Sequence, residues 1–170
     1  KQKRYDNTMI VFTSDHGESF TERELWFDHG TEASEEQLHI PLINKYPKQQ
    51  KAGTTDHRLV ALRDIFPTVL EVVDGKKRNN SLLRNNRSER VLMGESSHCK
   101  RISVLSCAPR GPLGKVYSLR NSTHTLVRKT SNKGVTYAYY NRNKDLIERN
   151  PLPDEPPKAL KEKLDTFASQ

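Results

Sequence analysis

Asp15, His16 and His29 are the residues whose types and placement suit chemistry. Asp15 and His16 lie in Ser14-Asp15-His16-Gly17-Glu18, directly after the apolar run Met9 to Phe12, and His29 opens a second His-Gly further along. A carboxylate beside an imidazole suits a divalent cation. Adjacent side chains on a regular strand point to opposite faces. Asp15 and His16 can therefore converge on one ion only if the backbone turns there, and Gly17 permits such a turn. The competing reading is a strand-end Asp-His pair that caps and packs without a metal. For His29 it is a loop histidine holding a glycine turn.

The elements that must position these residues follow from the apolar pattern. Thr8 to Thr13 reads as a buried strand that turns ionisable within two residues, the way open α/β sheets bring ligands to a site at strand ends. Glu18 to Phe27 reads as a short helix or a lid-like loop. Trp26 and Phe27 could flank a substrate, with aromatic packing as the alternative. Thr31 to Leu38 is acidic and helix-compatible, and Glu32, Glu35 and Glu36 read as a solvated helix face. His39 to Ile43 is a second core strand, with Pro41 placing it at an edge or a start. His39 is read as a satisfied residue at the strand entrance, not a ligand. A helix follows from Asp64, its N-cap, to Gly75, its stop, with Ile65, Val69, Val72 and Val73 as an apolar stripe. Glu18 is read as a supporting residue of the site or as an acid favoured near a helix start.

Asp74 to Arg90 is basic and Asn-rich, and reads as a surface loop or as a patch for an anionic polymer. Beyond it, Val91 to Glu95 begins another strand, and from Ile102 onward Ile102 to Leu105, Val116 to Leu119, Thr125 to Arg128 and Val135 to Tyr140 are short β-like runs divided by Gly, Pro, Asn and Ser. They predict an antiparallel meander. Pro156-Pro157 then opens a last helix with Leu160, Leu164 and Phe167 on one face.

Several of these segments carry a resemblance. Ser-Asp-His-Gly-Glu, the second His-Gly, and Glu36-Gln37-Leu38-His39-Ile40-Pro41-Leu42-Ile43 resemble the C-terminal half of the sulfatase family, in the alkaline phosphatase-like superfamily. Arg63-Asp64-Ile65-Phe66-Pro67-Thr68-Val69-Leu70 is similar to that family's Asp-Ile-x-Pro-Thr-x-Leu segment, and Asn80-Ser81-Leu82-Leu83 resembles its following Ser-Leu-Leu. Tyr139-Tyr140-Asn141 through Asn150, with the closing helix, resembles its C-terminal subdomain.

The resemblance implies an α/β fold. Residues 1–90 would be the distal part of an alkaline phosphatase-like mixed sheet flanked by helices. Residues 91–170 would be a small antiparallel β-sheet with a C-terminal helix. It also implies metal-dependent hydrolysis of sulfate esters, with Asp15 and His16 as metal ligands. The ion would be Ca2+ first, with Mn2+ or Zn2+ as alternatives. His29 matches a position where relatives place a His or Lys close to the ester, to bind the oxyanion, protonate the leaving oxygen or hold a second metal. Phosphoethanolamine or phosphoglycerol transfer, or phosphoester hydrolysis, is the alternative within the superfamily. Cys107-Ala-Pro-Arg110 fails the family's nucleophile motif by one residue, so Cys107 is given no catalytic role. The nucleophile, its Arg and the first pair of metal-ligating acids belong to the N-terminal half. The expected partners are therefore that half of the same protein and an anionic sulfate- or phosphate-ester substrate.

The bulk numbers agree with an anionic partner: Lys and Arg exceed Asp and Glu by 29 to 21, a formal net charge of +8. A non-enzymatic polyanion-binding module is the remaining reading. Nothing resembles a base-reading or stacking motif, so no nucleic acid is expected. Cys99 and Cys107 make neither a disulfide framework nor a zinc pattern, and could pair across a hairpin or both stay thiols. No apolar run approaches the ~18 residues of a membrane span. Lys1, with no initiator methionine, is read as the start of a fragment or a processed chain. Asn79, Asn86 and Asn121 begin weak Asn-x-Ser/Thr acceptor sequences.

Overall fold

A computed structural model of the chain describes residues 2–20, 26–84, 89–96 and 114–170. Cys99, Cys107, Asn86 and the expected Ile102 to Leu105 strand lie outside them. The chain forms two compact units: Lys1–Asp15 with Ile40–Arg90, and His16–His39 with Val91–Gln170.

In the first unit, helix α1 (Gln2–Asp6) precedes strand β1 (Ile10–Thr13), which pairs antiparallel with β4 (Leu42–Lys45). The second strand starts later than the sequence pattern suggests. Pro41 has no N–H to give to a ladder, and pairing begins one residue after it, with Thr13 opposite Leu42. Lys45 fixes the ribbon to α1, donating its ammonium to the carbonyls of Asp6 at 3.2 Å and Thr8 at 2.8 Å, a cation where the helix ends in unpaired carbonyls.

Helix α3 (Ile65–Asp74) ends at Gly75 with φ 72°, the left-handed stop expected of glycine. Asp64 does not cap it through its side chain. That carboxylate is fully buried, accepts from the Ala61 N–H at 2.8 Å, and meets the Arg90 guanidinium through both oxygens at 2.5 and 2.9 Å. The expected apolar stripe is only partly covered, since Val69 and Val73 stay exposed. The buried contact of α3 is Thr68, whose hydroxyl accepts the Leu82 N–H at 2.8 Å and so docks the Ser-Leu-Leu segment. Three cations of the basic run beyond α3 meet carboxylates: Arg78 on Asp74, Arg84 on Glu71 and Arg90 on Asp64.

The second unit is built on a four-stranded antiparallel meander of β5 (Leu92–Glu95), β6 (Val116–Arg120), β7 (His124–Ser131) and β8 (Gly134–Asn141). All five residues of β6 are buried, because both faces of the sheet are covered. Tyr117, Leu119 and Leu126 pack with Leu164 of helix α4 (Lys158–Ala168), joined by Leu160 and Phe167. On the other face Val116, Val127 and Tyr140 pack around Ala33.

Ala33 belongs to the segment that departs most from the sequence expectation. Only Glu35–Leu38 is helical (α2), a single turn. Glu32 and Glu35 are not a solvated face: they are 4% and 8% exposed. Each is held by cations of the meander and its C-terminal extension, Glu32 by Lys129 at 3.0 Å, Glu35 by Arg120 at 3.8 Å and Arg142 at 3.5 Å. Buried carboxylates require such pairing. Before this turn the described residues form a two-stranded antiparallel ribbon, β2 (Ser19–Phe20) with β3 (Trp26–Asp28), where the sequence suggested a helix or a lid-like loop. Among the described residues no helix is long and apolar enough to cross a membrane.

Candidate functional site

β1 delivers the chain to Asp15, exposed at the end of the first unit, and His16 opens the second. His16 Nδ1 lies 2.8 Å from the Gly17 carbonyl oxygen. A carbonyl only accepts, so Nδ1 carries the proton and Nε2 keeps the lone pair, the form in which an imidazole ligates a metal.

Gly17 is required here for a different reason from the turn inferred above. Its N–H donates to the Gln37 carbonyl at 2.8 Å, and a Cβ at this position would stand 2.1 Å from the Glu36 carbonyl oxygen. The close passage of two backbones is what excludes a side chain.

The second His-Gly folds onto the first. The His16 and His29 rings stack with centroids 4.2 Å apart and planes inclined by 21°. The ribbon β2–β3 produces this approach: Ser19 pairs with Asp28, so the next positions outward are Glu18 and His29. Their side chains meet, His29 Nδ1 to Glu18 Oε2 at 3.1 Å. Gly30 follows at φ 73°, where glycine is the residue that adopts the conformation at least cost. No helix starts at Glu18, so its electrostatic reading gives way to this contact.

Beside the histidines, Phe20 and Phe27 form an edge-to-face pair at 5.4 Å, with Phe27 72% exposed and its backbone at φ 46°. His39 lies outside this group. Its Nδ1 sits 2.8 Å from Glu35 Oε1, a satisfied residue as the sequence suggested.

Sequence reasoning assigned no role to Gln37, yet it ties the loops together. It is 2% exposed. Its amide donates to the Ser19 hydroxyl at 2.9 Å, and its carbonyl Oε1 accepts the N–H groups of Gly30 at 3.0 Å and Glu32 at 3.4 Å. No spacing rule flags one glutamine inside an acidic run. Behind it, Arg120 donates to Glu148 at 2.9 Å and to the Ala33 carbonyl at 3.2 Å, while Glu148 accepts the Glu35 N–H at 3.2 Å.

The donor chemistry of Asp15 and His16 fits a divalent cation, but at two positions only. Among the described residues no group of three or more His, Cys, Asp and Glu could hold a metal ion.

Residues 1–75 match the model of the Sulfatase family. The N-acetylglucosamine-6-O-sulfatase of Bacteroides thetaiotaomicron is 44% identical over 66 residues, 39% of this chain and 12% of that protein. The multifunctional alkaline phosphatase superfamily protein PehA of Trinickia caryophylli is 36% identical over 74 residues, 43% of this chain and 14% of that protein. The fold matches the solved structure of BT4656 in complex with its substrate D-glucosamine-2-N,6-O-disulfate, with a TM-score of 0.67 and 23% identity, covering 96% of this chain and 34% of that one. The chain therefore spans about a third of the length of that structural neighbour. The similarity to the sulfatase family is thus carried in sequence by residues 1–75 and in fold by nearly the whole chain.

Proposed function

We propose that this chain contributes part of the active site of an enzyme that hydrolyses sulfate esters, with a carbohydrate sulfate as the substrate class. The observation that carries the reading is the stacking of His16 on His29, which gathers two imidazoles and the Glu18 carboxylate into one cluster. The similarity of residues 1–75 to the Sulfatase family, and the sulfated sugars named for the N-acetylglucosamine-6-O-sulfatase and for BT4656, support the substrate class.

In this reading Asp15 and His16 hold a divalent cation, Ca2+ first and Mn2+ or Zn2+ as alternatives, through the carboxylate and through Nε2. When bound, the ion supplies Lewis-acid stabilisation of charge growing on the sulfuryl oxygens. His16 Nδ1–H on the Gly17 carbonyl keeps that ring in the ligating tautomer. His29 faces the ester, binding an oxyanion or passing a proton to the leaving oxygen. Two donors do not complete a cation site, so the remaining ligands and the nucleophile come from the N-terminal half of the protein, outside these 170 residues. Residues 1–90 then form the distal part of the catalytic core and 91–170 a C-terminal subdomain.

Phosphoester hydrolysis or transfer is the second reading, and the similarity to PehA favours it. A polyanion-binding module is less well supported, because Arg78, Arg84 and Arg90 of the basic run are paired with carboxylates.

The test is divalent-ion calorimetry on the full-length protein and on Asp15→Ala and His16→Ala, with sulfate- and phosphate-ester hydrolysis followed in parallel. Loss of ion binding and turnover together supports the reading, and the preferred ester separates the two chemistries. Mutants that bind and turn over like wild type would overturn it, and activity from the isolated 170 residues would overturn the shared-site arrangement.

A further inference from the structure

We propose that Phe27, with Phe20 against it, is the platform on which the sugar ring of a sulfated carbohydrate lies while its ester group reaches the His16–His29 pair. This deepens the sulfate-ester reading and rests on it.

Phe27 is an extra residue in the β2–β3 ribbon. Ser19 faces Asp28 and Phe20 faces Trp26, so Phe27 falls between two successive pairs and has no partner position of its own. A bulge of this kind re-aims the side chain it carries, and bulges recur beside active sites. The Phe27 backbone lies at φ 46°, a left-handed conformation that is unfavourable for a bulky side chain and that glycine would adopt freely. Burial within this chain does not offset that strain, since Phe27 is 72% and Phe20 54% exposed. Strain of this sort concentrates where a site needs a side chain in one particular place.

The two rings stand at 89° with centroids 5.4 Å apart. Such a contact takes the rim of one ring and one face of the other, and it leaves an open aromatic surface at these exposures. A pyranose has one face of C–H bonds. The negative face of an aromatic ring attracts polarised hydrogens, and stacking removes apolar area of both partners from water. The sugar hydroxyls stay at the rim, in water. The ladder also sets the platform's distance from the histidines. Phe27 is two residues from His29, at most roughly 7 Å between backbone positions. A hexose carrying an exocyclic sulfate bridges that distance, with its ring on Phe27 and its ester at the imidazoles. The alternative cover for the two rings is protein, a segment of the N-terminal half packed on them.

The experiment compares the full-length protein with Phe27→Ala, Phe27→Gly and Phe27→Tyr. Kinetics on glucosamine 6-sulfate, inhibition by inorganic sulfate, saturation-transfer NMR with the same sugar and the thermal midpoint read the result. Phe27→Ala and Phe27→Gly are expected to raise KM for the sugar roughly tenfold, the scale of a lost aromatic contact. Inhibition by inorganic sulfate stays as in the wild type, because that ion has no ring to stack. Phe27→Tyr, which keeps the aromatic face, restores most of the affinity. Phe27→Gly relieves the backbone and holds or raises the midpoint. In the wild type the strongest saturation transfer falls on the C–H protons of the sugar ring. The proposal is overturned if Phe27→Ala and Phe27→Gly keep the wild-type KM, or if sulfate inhibition weakens in step with sugar affinity. It is equally overturned if both variants lose several degrees of midpoint, which would mean that protein covers the rings. If the wild type hydrolyses no sulfate ester, the sulfate-ester reading fails, while saturation transfer to the sugar in wild type and Phe27→Ala still decides the platform.

Discussion

The side-chain amide of Gln37 donates to the hydroxyl of Ser19 across 2.9 Å, and both residues are almost wholly buried. The same glutamine accepts the Gly30 and Glu32 N–H groups and offers its main-chain carbonyl to Gly17. One side chain thus stands between the two His-Gly loops. Gln37→Ala would leave a buried hydroxyl and the Glu32 N–H without their partner. Each such orphan costs about 1–3 kcal/mol, so a loss of roughly 2–4 kcal/mol is expected in urea unfolding. A change below half a kcal/mol would show that the loops are held by something else.

Gly17→Ala tests the close passage of backbones. The added methyl would stand 2.1 Å from the Glu36 carbonyl oxygen, backbone against backbone, with no flexible side chain to give way. The expected outcome is loss of the His16–His29 stack, read by histidine NMR, and a lower thermal midpoint by several degrees. A variant with wild-type midpoint and histidine shifts would mean that the two segments are not held at this distance.

Arg120 is the buried cation between Glu148 at 2.9 Å and Glu35 at 3.8 Å. Arg120→Met breaks the buried pair with Glu148 while Glu35 keeps Arg142 and His39, and breaking a buried pair costs about 3–5 kcal/mol. The triple replacement of Arg120, Glu35 and Glu148 by apolar residues of similar size should recover part of that loss. If the single and triple variants are equally unstable, packing and not charge pairing is the cause.

The Arg58 guanidinium bonded to Asp56 holds that carboxyl down to about 2, below its ordinary 3.8. A lowered carboxyl pKa contributes stability that is present above the ordinary value and lost as pH falls through the lowered one. The loss therefore falls between pH 3.8 and about 2. The Asp56 side chain is 44% exposed, so solvent screening keeps the contribution at about 1 kcal/mol or less. Asp56→Asn should flatten the acid limb of the stability curve over that window alone, and an unchanged limb would exclude the pair as a contributor.

How far the fold could be read from the sequence differs sharply between elements. The meander was legible because Val, Leu and Tyr recur between Gly, Asn and Ser turns, and each strand needs only its neighbour. The last helix was legible because Leu160, Leu164 and Phe167 share one face, and Leu164 is fully buried there. Gly75 announced its stop for a local reason. What failed depended on distant partners. Glu32 and Glu35 look like a solvated acidic face until Arg120, Lys129 and Arg142 arrive from the far side of the sequence. Asp64 has the right place for a cap, but Arg90, 26 residues on, claims its side chain. Val73 fits a helical stripe, yet periodicity states only which residues share a face, and this one is 78% exposed. At the candidate site, the types Asp15, His16 and His29 stood out by themselves. The ring contact and the Gln37 tie did not, because both exist only once the intervening ribbon has closed.

That dependence on distant partners sets an order of events during synthesis. The Glu35 N–H is bonded to a carboxylate 113 residues later in the chain. At roughly 5–20 residues per second, Glu148 leaves the ribosome about 6 to 23 seconds after Glu35. For that interval the acids meant for burial have no cations, and the turn that carries Gln37 has no sheet to lie on. The His16–His29 loops are thus made well before the residues that fix them. A chain that stops before Arg142 carries every candidate residue of the site and lacks the means to hold them.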